Sequence, residues 1–311
     1  MPLGDQAPIP RAGQRSMLAA LGDMMRPRQR LLPVRRLGAN ARTAQAAVRA
    51  MAQAVPMAGG TLLCRTLGRH KMLVDQGDFT HAPHLAMDGF WEWWTTRFLI
   101  ANLRPGEVVV DAGACYGYFS LLAAELVGSG GRVLAFEPNP RIASLLRRNL
   151  AMNGMDGRVQ VEEVALAGAD SSRVLRLAVP DGSPMNAHLL ADEPASGMAP
   201  GSPAGGMPLV ATRALDRHAT ARPDFVKLDI CGAEEAAWEG MQALVAANPA
   251  LRVLLTFNPS RCRAPAAFVE AMASQFPLRR LASDGTAEDC TVADALGGGD
   301  VMLYLARQAP V

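Results

Sequence analysis

Residues 108–117 read Val108-Val109-Val110-Asp111-Ala112-Gly113-Ala114-Cys115-Tyr116-Gly117, and this stretch decides the fold. Three β-branched apolar residues in a row suit a strand buried on both faces. Asp111 ends the run and Gly113 and Gly117 follow. From Tyr118 the spacing turns helical, with Phe119, Leu121, Leu122 and Leu126 as an apolar stripe. A strand, a glycine turn and a helix build a nucleotide-binding crevice. Glycine lets the backbone turn sharply and approach a ligand closely. The new helix points its first amides at that ligand.

The spacing narrows the choice of nucleotide. The dinucleotide pattern G-x-G-x-x-G needs glycine where Asp111 or Ala112 stands, and no G-x-x-x-x-G-K-[S/T] is present. D-x-G-x-x-x-G better fits a ligand that carries an amine and a carboxylate in place of a pyrophosphate. S-adenosylmethionine is such a ligand: Asp111 would bind its ammonium, directly or through water, and the turn amides its carboxylate. The competing reading is a tight turn with no ligand. The next strand, Arg132 to Pro138, ends in Glu137. That lies about 20 residues beyond the glycine turn, where an acidic side chain reaches a ribose hydroxyl pair.

Composition sets outer bounds. Half of the 311 residues are hydrophobic, enough for one large or two small domains with a sizeable core. A net charge of +2 gives the whole chain no strong field for nucleic acid, so no nucleic-acid partner is expected. Lys71 and Lys227 are the only lysines. The five cysteines (Cys64, Cys115, Cys231, Cys262, Cys290) are scattered, with no C-x-x-C and no histidine at metal spacing. A reduced cytoplasmic protein is the default. No apolar run approaches ~18 residues, so no transmembrane segment is expected. The N-terminus lacks the apolar core of a secretory signal.

Residues 1–60 read as a basic extension, partly disordered or helical, with short helices at Ser16–Met25 and Ala41–Val55. Its arginines Arg26, Arg28, Arg30, Arg35 and Arg36 suit a solvated face or an arm touching an acidic partner or an anionic membrane surface. Residues 61–311 are expected to form the folded domain. Lys71–Asp75 is a candidate strand. The stretch Gly89 to Thr96 holds three of the four tryptophans, which suits aromatic packing of a helix against the sheet; Glu92 among them is harder to explain by packing. From Glu107 the α/β alternation is regular. Strands are expected at Val159–Leu166, Phe225–Asp229, Arg252–Phe257, Leu278–Ala282 and Val301–Ala306. Helices are expected at Arg141–Met152, Ala233–Ala247 and Pro265–Phe276, with an inserted antiparallel pair at Arg173–Val179 and Met185–Leu190. Pro194–Pro208, rich in proline and glycine, reads as a mobile loop on the acceptor side of the cleft. Such alternation predicts an open, mostly parallel sheet with ligands at the carboxyl ends of its strands.

With these residues in view, the chain resembles the FkbM family of S-adenosylmethionine-dependent methyltransferases over roughly residues 71–305. The resemblance is carried by Gly89-Phe90-Trp91-Glu92, by Val110 to Tyr118, by Phe136-Glu137-Pro138-Asn139, and by Val226-Lys227-Leu228-Asp229-Ile230-Cys231-Gly232-Ala233-Glu234. The last block is similar to the family's K-I-D-V-E-G-A-E pattern. The resemblance implies an α/β fold: a Rossmann-like class I methyltransferase sheet of seven mostly parallel strands, the last reversed, here behind an N-terminal helical extension. It also implies S-adenosyl-L-methionine as cofactor, bound by Glu92, Asp111, Gly113, Ala114, Tyr116, Gly117, Glu137, Pro138 and Asn139. The implied reaction is O-methylation of a hydroxyl on a sugar, a glycan or a secondary metabolite. Cys231 stands where the family often has Glu, and Asn258 where many members are acidic.

For catalysis, Asp229 ends the fourth parallel strand beside the glycine turn and is the expected general base. Glu234 follows at the start of a helix and is expected to orient the acceptor or support Asp229. Their plain structural alternatives are a helix-cap residue and a carboxylate favoured by the helix dipole. His188 and His218 are fallback bases; His81 and His84 read as surface residues. Asp229 with Asn258 is also a donor pair that a divalent cation could use, although no metal is required by the resembled family. The alternative functions are a non-catalytic Rossmann-like module that has lost its acceptor site and, disfavoured by the glycine pattern, an NAD-dependent enzyme.

Overall fold

Successive residues of a strand face opposite sides of its sheet, so Val109 and Val110 must be buried in different layers. The computed structural model describes residues 31–38, 40–168, 173–190 and 207–310. The Ser16–Met25 helix, Arg26, Arg28, Arg30 and positions 194–206 of the expected loop lie outside the described residues. Strands are numbered β1 (Ala54–Met57), β2 (Thr61–Thr66), β3 (His70–Asp75), β4 (Val108–Ala112), β5 (Arg132–Phe136), β6 (Val159–Glu162), β7 (Val164–Leu166), β8 (Val174–Ala178), β9 (His188–Leu190), β10 (Leu209–Arg213), β11 (Phe225–Leu228), β12 (Arg252–Phe257), β13 (Leu278–Leu281), β14 (Ala287–Asp289) and β15 (Val301–Leu305).

The main sheet runs β14-β13-β15-β12-β11-β4-β5-β6. β6, β5, β4, β11 and β12 are parallel. β15 is antiparallel to both β12 and β13. This is the class I methyltransferase sheet with its reversed last strand, widened by β14 as an antiparallel edge. Val109 packs with Val133, Phe225 and Tyr304 under the helices Trp93–Asn102, Tyr118–Val127 and Pro140–Met152. Val110 packs with Leu134, Val226 and Val253 under Glu234–Glu239, Gln242–Ala247 and Pro265–Ala273. Each such buried side chain contributes roughly 1.5–3 kcal/mol, which is why the run tolerates no polar residue before Asp111.

Three expectations need correction. The compact unit begins at Leu32 rather than Thr61. Val34, Leu37, Ala44 and Val48 belong to the first core, and the Ala41–Met51 helix is part of the fold. The strand expected over Val159–Leu166 breaks at Glu163. Its first half joins the main sheet, and its second half joins a four-stranded sheet β7-β10-β8-β9. The β8–β9 pair was legible, although Met185 sits in the 3-10 turn Pro184–Asn186 rather than in a strand. Finally, Ala233–Ala247 is two helices. A Cβ on Gly240 would lie 2.1 Å from the Ala167 carbonyl, so the chain passes too close there for any other residue.

The β1–β3 hairpin sheet is fixed to the main body by two asparagines one helical turn apart. Asn149 accepts from Leu73 N and donates to Leu73 O; Asn153 does the same with Lys71. Four helical residues rise ~6 Å and two strand residues ~6.6 Å, so two carboxamides can imitate a neighbouring strand. Asn149 Nδ2 also donates to Tyr116 O, which ties this edge to the glycine turn.

Candidate active site

A cavity of ≈ 320 Å³ opens at the carboxyl ends of β4, β5, β11 and β12. Its sheet wall presents Gly113, Glu137, Asp229 and Thr256, and residues His81, Trp91, Glu92 and Trp94 supply the facing segment. Gly113 sits at φ +78°, and a Cβ there would lie 1.9 Å from the Asp229 carbonyl. Only glycine lets the turn pass beneath the end of β11.

The turn amides do not wait for a ligand. Gly113 N and Ala114 N donate to Phe136 O, and Gly117 N donates to Ala114 O. Cys115 N donates to Glu137 Oε2 at 2.9 Å, and Asn139 N to Glu137 Oε1 at 2.9 Å. These four amides of the turn are thus committed to oxygens of the protein itself. Glu137 keeps a lone pair on each oxygen after its two amide bonds, as a diol requires. Burial pushes its carboxyl up to about 7, against the lowering pull of those two amides.

Lys227 stands opposite Asp111 in the β11–β4 register. Its Nζ lies 3.2 Å from Asp229 Oδ2, 4.0 Å from Asp111 Oδ1 and 4.8 Å from the centre of the Phe119 ring. Burial alone would lower its pKa; Asp229, Asp111 and Glu92 reverse that and raise it. Burial likewise favours a neutral Asp229, but the Lys227 charge and hydrogen bond outweigh it and hold the carboxyl below its usual range. Asp229 is thus an ion-paired carboxylate on the cleft wall, its side chain 30% exposed.

Facing it, Glu92 adopts φ +37°, a left-handed conformation that costs a non-glycine residue about 1–3 kcal/mol. Its Oε2 accepts from Thr95 Oγ1 at 3.0 Å. Burial first, then the nearby Asp229, raise its carboxyl to about 7 against the pull of Lys227.

Glu92, Gly113, Ala114, Tyr116, Glu137, Pro138 and Asp229 all line the cavity. Four expected site residues do not. Asp111 lies behind the wall, where Oδ2 accepts from Ser120 Oγ at 2.6 Å and the carboxylate faces Lys227. Gly117 starts the Tyr118–Val127 helix against Leu146. Asn139 caps the next helix by accepting from Arg141 N. Glu234 is buried, and its two oxygens accept from Ile230 N and Gly232 N at 2.8 Å each. It clamps the loop in which Cys231 and Gly232 have positive φ. His188 and His218 are also absent from the lining, whereas His81 is present. Asn258 accepts from Ser260 and donates to Asp300, so its carboxamide is committed away from Asp229. Lys227 carries a sequence signal of its own: in K-x-D the strand period of two puts both side chains on one face. His81 and Trp94 had no such signal.

The donor set suits S-adenosylmethionine. Glu137 matches a ribose diol, Pro138 and Ile142 offer an apolar bed for a base, and Trp91, Tyr118 and Phe119 add aromatic rings to the lining. Glu92, Asp229 and Lys227 offer both signs of charge to an amino-acid zwitterion. Parts of the chain are similar to known proteins. A 58-residue segment is 52% identical to protein-L-isoaspartate O-methyltransferase from Aeropyrum pernix, covering 19% of this chain and 22% of that protein. A segment of the same length is 47% identical to the 31-O-demethyl-FK506 methyltransferase FkbM of Streptomyces tacrolimicus, covering 19% and 22%. The chain thus spans less than a quarter of the length of these two curated relatives. Among solved structures, methyltransferase FkbM from Methylobacillus flagellatus aligns over 68% of this chain and 54% of its own, with a TM-score of 0.40 and 15% identity. The model of the FkbM methyltransferase domain matches residues 111–272, just over half of the chain and the span that carries the glycine turn, Glu137 and the Lys227–Asp229 pair. With that match on the strands that build the cleft, this chain belongs to the FkbM methyltransferase family.

Proposed function

We propose that this chain transfers a methyl group from S-adenosylmethionine to a hydroxyl of a sugar, a glycan or a small secondary metabolite, in the cytoplasm. The observation that carries the reading is the polarity of one cleft. Its lining brings a buried carboxylate with free lone pairs, Glu137, together with an ion-paired carboxylate, Asp229, and the tryptophans Trp91 and Trp94. S-adenosylmethionine supplies an electrophilic methyl carbon, so the protein's task is to hold a hydroxyl oxygen in line with it. Glu137 fixes the ribose end. Lys227 meets the cofactor's carboxylate and Glu92 its ammonium. Asp229, kept ionised by Lys227, accepts a hydrogen bond from a hydroxyl of the acceptor next to the reacting one and so orients the acceptor. Trp94, 39% exposed at the cleft mouth, offers a flat apolar face of the kind a sugar ring stacks on.

Calorimetric titration with S-adenosylmethionine, S-adenosylhomocysteine and NAD tests the cofactor. The first two should bind and NAD should not. Transfer of tritiated methyl to a panel of methyl glycosides and polyols then tests the acceptor class. Tight binding with no transfer to any hydroxyl compound would favour a non-catalytic module instead.

A further inference from the structure

We propose that the imidazole of His81, oriented by Asp78 and Thr80, receives the proton of the acceptor hydroxyl during methyl transfer; the proposal rests on the O-methyltransferase reading above. Asp78 is buried. Its Oδ1 accepts from Thr80 N, Thr80 Oγ1 and His81 N at 2.9, 2.6 and 3.0 Å, and its Oδ2 accepts from the Tyr116 hydroxyl at 3.0 Å. A hydroxyl has one proton, and Thr80 spends it on Asp78. The 3.0 Å contact between Thr80 Oγ1 and His81 Nδ1 is then a bond that the ring nitrogen donates. Asp78 Oδ2, 3.7 Å from the same nitrogen, asks for the same proton. The proton of the neutral ring is therefore on Nδ1, and Nε2 carries a lone pair.

That lone pair has no hydrogen-bond partner among the described residues, and His81 lines the cleft. The ring centroid lies 3.9 Å from that of Trp91, which fixes the ring plane. Burial keeps the imidazole neutral, lowering its pKa to about 4. Asp78 and Asp229 pull the other way, while His84 and Lys227 add to the lowering. The rival groups are less ready. Asp229 is engaged by Lys227, and Glu92, at about 7, is largely split between its two protonation states at neutral pH.

In the step, the hydroxyl oxygen's lone pair forms the bond to the methyl carbon. The carbon–sulfur bond breaks and its electron pair stays on sulfur, leaving S-adenosylhomocysteine. The oxygen–hydrogen bond gives its proton to Nε2, whose lone pair forms the new N–H bond. The products are a methyl ether and an imidazolium that Asp78 stabilises until water removes the proton. An oxygen carrying both a methyl group and a proton is far more acidic than imidazolium. The base therefore needs to be neutral and in place rather than strong.

The test uses the full chain labelled with ¹⁵N-histidine and saturated with S-adenosylhomocysteine. The His81 resonances, assigned by their loss in His81→Gln, should show Nδ1 protonated and Nε2 unprotonated at pH 7. A protonated Nε2 or an imidazolium overturns the proposal. His81→Gln should bind S-adenosylhomocysteine within a few-fold and lower methyl transfer to methyl glycosides by ~10²-fold or more. In His81→Ala, added imidazole should restore part of the rate, which a merely structural role would not allow. Unchanged transfer in His81→Gln also overturns it. If the wild type binds the cofactor but methylates no glycoside, the glycan reading falls while the tautomer still decides the role of His81. If it binds no cofactor, the proposed function itself fails.

Discussion

The two walls of the cleft hold their charged groups by different means. On the sheet wall every charged group is met by a partner: Asp229 by Lys227, and Glu137 by the amides of Cys115 and Asn139. On the facing segment the groups are desolvated with little compensation, so Glu92 drifts up to about 7 and His81 down to about 4. The sheet wall is suited to binding and orientation, because its carboxylates are held in place by partners: Asp229 stays ionised beside Lys227, and two amides fix Glu137 although burial raises its carboxyl to about 7. The facing wall is suited to proton movement, because its groups are readily held in the neutral form.

The comparison breaks most visibly if the pairing on the sheet wall is removed. Lys227→Met leaves Asp111 and Asp229 without their shared cation, and loss of one partner of a buried pair typically costs ~3–5 kcal/mol. Urea unfolding at pH 7 should show a loss of this order; an unchanged midpoint would mean that the pair is not a structural unit. Glu137→Ala removes two charge-assisted bonds to the ribose, each worth ~1.5–3 kcal/mol. Affinity for S-adenosylmethionine should fall by one to a few decades in a calorimetric titration. Asp229→Asn keeps the shape and removes the charge. Turnover should fall by ~10²-fold with cofactor affinity within a few-fold, and abolished binding would move Asp229 from acceptor to cofactor ligand.

Two smaller effects sharpen the contrast. Glu234→Gln forfeits one of the two amide bonds that hold residues 230–232 and should cost roughly 1.5–3 kcal/mol in denaturant unfolding, with turnover less affected than in Asp229→Asn. On the facing wall, Glu92 has a folded pKa of about 7, above that of an unfolded carboxylate. Between the ordinary carboxylate range and pH 7 the folded state therefore holds the extra proton, and stability falls as pH rises through that window. Glu92→Gln should flatten this slope and make the protein more stable than wild type at pH 8 while matching it at pH 4. The same slope in both proteins would show that Glu92 is not desolvated.

Legibility follows the same division. The parallel strands and the glycine turn could be read from the chain because each rests on a local rule: β-branched runs and positive-φ glycines. Gly113 is forced by a backbone approach, and such constraints leave a mark in one residue type. Asp111 and Glu234 were recognised as important but misplaced. A carboxylate at a strand end or helix start has the same local sequence whether it faces a cavity or its own backbone. The break at Gly240 and the sheet change at Glu163 depend on which segment packs alongside, and neither neighbour is close in sequence.

The chain by itself determined that a parallel sheet would carry a nucleotide-type crevice at Val108–Gly117, because period, β-branching and glycine act over a few residues. Only the tertiary structure decided which charges are neutralised and which are stranded. Lys227 meets Asp111 across more than a hundred residues, and His81 gains its orientation from Asp78 while Tyr116 holds Asp78 from another element. Burial and Coulombic partners are properties of neighbours in space, and they alone separate a binding carboxylate from a group able to take a proton.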